Sequence, residues 1–244
     1  MITQRGVGLI ELMISLFLFC LLIAIATQFY LMSKRHYLTT EKDLTQAVDM
    51  QLVNQLIRDS IRAAGFTPCL NMNYLIMQDG REGTSALLKA IEIKENSLTI
   101  RRMSDDFFTV KRQFDSQHLL IPDTKDLAKG DIVLIADCVY GEIHELDSIE
   151  YTSSGLLIGL KKPLSFTYMA PMYIGSWLQE QFFIKTDKQN IKNLFYKINH
   201  AEQLTSVINH FSVKLLKKGK HQFIDVILGI EDKAMQLYTR VRLS

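Results

Sequence analysis

The hydrophobic pattern divides this chain into three parts. From Leu9 to about Met32 nearly every position is apolar, and Glu11 is the only acid. A run of about 20 apolar residues is the length that crosses a bilayer. From Ser33 to Ala64 there is no Pro and no Gly, and Leu44, Val48, Leu52, Leu56, Ile57, Ile61 and Ala64 recur mostly at three- and four-residue steps. That spacing predicts a helical stripe, with Glu41, Lys42, Gln46, Asp49, Arg58 and Asp59 largely on other faces. Gly65 and then Pro68 supply the stop. Val7 to Ala64 is therefore expected as one long helix, apolar all round at first and amphipathic afterwards; the alternative is a separate core helix for the second half.

Beyond Gly65 the period shortens. Ser97 to Arg101, His118 to Ile121, Asp131 to Ala136, Ile143 to Tyr151, Gly155 to Leu160, Gln181 to Lys185, Asn193 to Ile198, Ser212 to Leu216, Phe223 to Ile230 and Gln236 to Leu243 are rich in β-branched and aromatic residues. Turn-forming clusters bound them, so they read as β-strands. Asp187 to Asn190, and Lys217 to His221 with Gly219 inside it, read as hairpin connections. Asp79 to Ser85 reads as an exposed loop. The expected fold is α+β, a mostly antiparallel sheet wrapped on the C-terminal half of the long helix.

Composition narrows the function more by exclusion than by assertion. With 244 residues and 48% hydrophobic content, the chain can bury one sizeable core once the apolar run is set aside. A net charge of +2 is too small to require nucleic acid or anionic lipid as partner. Acids dominate from Asp123 to Glu150 and lysines from Lys185 to Lys220, both read as solvated faces able to steer packing between unlike subunits. The lysine stretch lacks interleaved aromatics for stacking on single-stranded DNA, so DNA is not an expected partner.

No phosphate-binding Gly-rich loop, His-Glu-x-x-His, Gly-x-Ser-x-Gly or spaced Cys/His set occurs. The six histidines are dispersed, and Asp123, Asp126 and Asp131 lack the pattern of a calcium loop. Neither an enzyme nor a cofactor or metal is expected.

Glu11 is the residue that calls for an explanation. A carboxylate inside a membrane-spanning helix costs about 2.5–3.5 kcal/mol on insertion scales and usually has a partner. It stands at the fifth position after Gly6, which closes a short leader, Met1 to Gly6, with one cation, Arg5. This leader, with Val7 and Glu11 after it, resembles the prepilin N-terminus of type IV pilins and the related pseudopilins. The resemblance implies cleavage after Gly6 by a prepilin peptidase, N-methylation of Val7, and a Glu11 carboxylate that neutralises a neighbouring subunit's amino terminus and sets axial register. It departs at the second mature position, where Gly8 stands for the commoner Thr or Ser. Two other readings compete: a plain signal anchor with Glu11 near the interface, and a secretory signal peptide cleaved near Ala24-Ile25-Ala26.

Further segments are similar to PilW-type minor pilins: Arg58 to Phe66 followed by Cys69, Gly130 to Cys138, Gln181 to Ile184 leading to Asn193 to Lys197, and Leu237 to Leu243. The resemblance implies a leader over 1–6, a transmembrane half of the helix over 7–32, an amphipathic half over 33–64 and a β-rich periplasmic head over 65–244. Its expected location is the inner membrane, single-pass, with the possibility of incorporation in the extracellular pilus. The expected partners are other minor pilins, the major pilin, the prepilin peptidase and inner-membrane lipid, with a scaffolding role in pilus initiation near the filament tip. A J-type minor pseudopilin of a type II secretion system, or an anchored adhesive or DNA-binding head, is the alternative. In an oxidising periplasm Cys69 and Cys138 are disulfide candidates, two separate thiols being the other reading, and Cys20 is expected as a small buried hydrophobe.

Overall fold

The computed structural model describes residues 8–81, 88–186, 190–218, 221–230 and 233–241. Gly6 and Val7 lie outside the described residues, as do most of the Asp79–Ser85 loop, Gly219 and the first three positions of the Asp187–Asn190 turn. The chain divides into two compact units, Met1–Leu52 and Val53–Ser244.

The first unit is helical. Helix α1 runs from Leu9 to Ala63 without interruption, 55 residues, and so extends past this unit into the next. It is the helix expected over Val7 to Ala64, and it is long and apolar enough to span a membrane. Every side chain over 9–44 is exposed on the chain itself, Cys20 among them. The hydroxyls of Ser15 and Thr27 donate to the carbonyls of Glu11 and Ile23, four residues back. Both aliphatic hydroxyls of the apolar stretch are thereby satisfied within the helix, which is what a solvent without hydrogen-bonding capacity favours.

The expected amphipathic stripe divides in two. Leu44, Val48 and Leu52, at four-residue steps, are exposed, whereas Val53, Ile57, Ile61 and Ala64 are buried. Only the last turns of α1 face the interior of the second unit.

That unit is built on an eleven-stranded sheet. Strands β3 (Ser97–Thr109) and β9 (Tyr173–Thr186) run antiparallel along most of their length. On the other side of β9, β6 (Ile132–Ala136) pairs with its start and β10 (Lys192–Lys197) with its end. Strand β2 (Ile91–Lys94) flanks β3, and β11 (Ala201–Thr205) flanks β10. Strand β7 (Tyr140–Thr152) pairs with β6 through its first half and with β8 (Gly155–Leu160) through its second. Strands β5 (His118–Ile121) and β4 (Arg112–Gln113) continue from β8. Strand β1 (Ile76–Asp79) lies parallel to the start of β7, the one parallel pairing among the described strands. A separate antiparallel meander comprises β12 (His210–Lys218), β13 (His221–Ile230) and β14 (Lys233–Arg240).

Each expected strand has an observed counterpart, half of them longer, while β1, β2, β4 and β11 are additional. All four are short edges: β2, β4 and β11 pair with strands adjacent in sequence and only β1 reaches a distant one, β7, and segments of two to five residues are too short to show a period. The core is set by alternation: Val133 and Ile135 of β6 join Leu119, Ile121, Leu156 and Ile158 in one apolar cluster. Leu134 and Ala136 point the other way, to Leu75, Met103 and Ile143.

Candidate assembly sites

Glu11 sits in the first turn of α1, and Gly8 precedes that turn. The Gly8 carbonyl accepts from the backbone N–H groups of Glu11 and Leu12, at 3.0 and 3.3 Å, and the Gly8 N–H donates back to Glu11 Oε2 at 3.2 Å. This is the reciprocal half of a capping box, in which the third helical residue reaches back to the cap. The carboxylate also complements the positive end of the helix. Glu11 is exposed, so one oxygen caps its own chain while the side chain stays open to a further donor.

The C-terminal end of α1 is more heavily fastened. Gly65 adopts φ 72°, and its N–H donates to the Arg101 carbonyl of β3 at 2.8 Å. A Cβ at this position would meet Asn71 Oδ1 at 2.5 Å and Ala90 Cβ at 2.8 Å, so both conformation and space require glycine. Asn71 Nδ2 donates to the Ala64 carbonyl at 2.9 Å. The loop then reaches Cys69, which is disulfide-bonded to Cys138 in the turn between β6 and β7, with Cα atoms 5.2 Å apart.

Around that bond the surface is apolar. The Ile76 N–H donates to the Val139 carbonyl at 2.9 Å, and the Met169 N–H donates to Asp137 Oδ2 at 2.9 Å, which draws these residues to the same end of the sheet. Leu70, Tyr74, Ile76, Val139 and Met169 are all between 40% and 69% exposed. Beside them lies a cleft of about 430 Å³ lined by Asp59, Arg62, Phe66, Pro68, Leu70 and Asp105, among others. Exposed hydrophobic side chains scattered singly are ordinary, whereas several at one end of a sheet make a candidate interaction surface.

Three of the buried carboxylates, the least exposed, fasten elements and loops of this unit. Glu180 of β9 accepts from Ser60 of α1, from Arg102 Nε of β3 at 2.9 Å and from the Tyr196 hydroxyl of β10 at 3.2 Å, which ties the helix to three strands. Burial, and then the Glu180 charge, push the Tyr196 phenol well up. Asp137 accepts from the N–H groups of Val139 and Tyr140, both at 2.7 Å, as well as from Met169. Glu142 meets His144 Nε2 at 2.8 Å and accepts from the backbone of Ser165 and Phe166. Burial alone would raise the Glu142 pKa, but His144 and the two amides outweigh it and hold the carboxyl below its ordinary value.

Asp137 and Glu142 therefore correct the reading of Asp123 to Glu150 as a solvated acidic face: they are 2% and 0% exposed. The buried members of that run hold loops in place. Of the lysines, Lys185, Lys192, Lys197, Lys214 and Lys217 are exposed as expected. Asp126 and Asp131 hydrogen-bond within their own turns, to Thr124 and Ala128, and no metal-holding group of His, Cys, Asp or Glu occurs among the described residues. Glu180 and the Glu142–His144 pair were not singled out by any motif. The spacing of Glu142 and His144 at i and i+2 on a strand was the available sign of a shared face.

Scans against protein-family models, curated proteins and solved structures found no match to this chain.

Proposed function

We propose that this chain is a minor pilin of the type IV pilus system, anchored by the N-terminal part of α1 and carrying its β-rich unit on the periplasmic side. The observation that carries the reading is α1 itself: an uninterrupted 55-residue helix whose first stretch is apolar and wholly exposed, with Glu11 in its first turn. An exposed apolar surface of that extent needs lipid or other helices around it. The exposed Leu44, Val48 and Leu52 carry the same demand beyond the span. A disulfide between Cys69 and Cys138 suits an oxidising compartment.

In this reading the subunit is a scaffold. The span stores it in the bilayer, and prepilin peptidase frees the amino terminus of Val7. Glu11 then faces a neighbouring subunit's amino terminus, since an opposite charge a few Å away offsets much of the penalty of an ion in low dielectric. The sheet edges and charged surfaces of the C-terminal unit select other minor pilins and the major pilin.

The test is mass spectrometry of the N-terminal peptide from membrane-extracted protein, wild type against Gly6→Ala. The expected peptide begins at N-methylated Val7 and disappears in the variant. A chain that begins at Met1 or Thr27 in the wild type would overturn the pilin reading.

A further inference from the structure

The cleft at the end of α1 combines two kinds of surface. Phe66, Pro68 and Leu70 line it with apolar groups, and the exposed shelf of Ile76, Val139 and Met169 continues from the disulfide at its edge. Its charged lining is Asp59, Asp105 and Arg62, so carboxylates outnumber the cation. Asp105 pairs with Arg102 at 3.2 Å, yet its side chain remains 75% exposed. The occupant that complements this lining is an apolar anchor with a basic residue beside it.

The same unit displays such a segment elsewhere. Lys214-Leu215-Leu216-Lys217 lies in β12, an edge strand of the three-stranded meander. All four residues are exposed, the two leucines at 45% and 42%. Alternation along the strand gives each face one leucine and one lysine, with Lys214 and Leu216 on one and Leu215 and Lys217 on the other. An edge strand with leucines exposed and lysines flanking them is both guarded against random pairing and equipped for a specific one.

We propose that the 214–217 segment of one copy of this chain docks in the cleft of a second copy by its Lys214–Leu216 face, Leu216 against Phe66 and Leu70 and Lys214 against Asp59 and Asp105. The contact is heterologous: each subunit offers a cleft and a segment on different parts of its surface. Such contacts propagate head to tail or close into a ring, according to the rotation between neighbours. Docking of this kind adds a partner and a polarity to the scaffolding role. It does not depend on N-terminal processing, so failure of either idea leaves the other standing.

A charge exchange on the full-length protein in detergent tests it. One variant carries Asp59→Lys with Asp105→Lys, the other Lys214→Glu; self-association is followed by sedimentation and by energy transfer between labelled copies. Each variant alone presents like charges to itself and is expected to associate about tenfold or more weakly than wild type. Mixed, the two restore complementary pairs and association returns. A third variant, Leu216→Ser, removes the anchor without changing charge and is expected to weaken association at high salt as well as low. Thermal unfolding of each variant close to wild type excludes misfolding as the cause. Association of the charge variants equal to wild type, absence of recovery on mixing, or a wild type that stays monomeric at every concentration would overturn the proposal.

Discussion

At the scale of single residues, Glu142 shows how a buried charge is made tolerable and how acidification undoes the arrangement. It has no exposed surface, but His144 and the backbone N–H groups of Ser165 and Phe166 surround its oxygens. These partners favour the charged form, and the folded-state pKa lies below the ordinary 4.5. A depressed carboxylate contributes stability that is fully present above its unfolded pKa and is lost as pH falls through the folded value. Glu142→Gln keeps the shape and removes the charge, and is expected to cost about 1–3 kcal/mol at pH 7. The gap between variant and wild type should narrow as the pH drops below about 4.5, measured as urea midpoints between pH 7 and pH 3. A constant gap would mean that Glu142 acts through packing alone. Little of this was legible in the sequence, where Glu142 stood in an acidic run; the loop amides that hold it arrive from 23 and 24 residues away.

At the scale of elements, the end of α1 is both the best-read and the least-read part of the chain. Gly65 and Pro68 marked its stop, and the structure adds the reason: a left-handed glycine pressed against Asn71 and Ala90. The face that the helix buries was half legible, since Ile57, Ile61 and Ala64 turn inward while Leu44, Val48 and Leu52 remain exposed. Periodicity reports that side chains share a face; it does not report whether anything covers it. The fastening itself, Ser60 and Arg102 on Glu180, depends on a contact across 120 residues and had no local signature. Arg102→Met leaves the Glu180 carboxylate buried without its cation and is expected to destabilise the unit by about 3–5 kcal/mol. Arg102→Met combined with Glu180→Leu removes both charges and should recover most of that loss. Chemical denaturation of the single and double variants decides: a double variant as unstable as the single would show that the pair acts through shape.

At the scale of the whole molecule, the disulfide closes a loop that spans six of the strands, β1 to β6, and its two cysteines were legible as a pair only because the third lies in the apolar run. Its stabilising effect comes chiefly from the loop it denies the unfolded chain, about 2–4 kcal/mol in typical cases. Both ends are also held without it. The Gly65 and Met103 N–H groups donate to the carbonyls of Arg101 and Phe66 on one side, and Asp137 gathers Val139, Tyr140 and Met169 on the other. Reduction, or Cys69→Ser with Cys138→Ser, should therefore lower the unfolding free energy by that amount and steepen the urea transition, because the released unfolded chain exposes more surface, while leaving the aromatic near-ultraviolet circular dichroism unchanged. Hydrogen exchange should quicken at residues 66–76 and 137–140 before it does so in β3 and β9, because a clasp removed from the end of a sheet loosens that end first. Uniform quickening across β3 and β9 would instead make the bond a condition of the fold, and the apolar shelf around it could then not form in a reducing compartment.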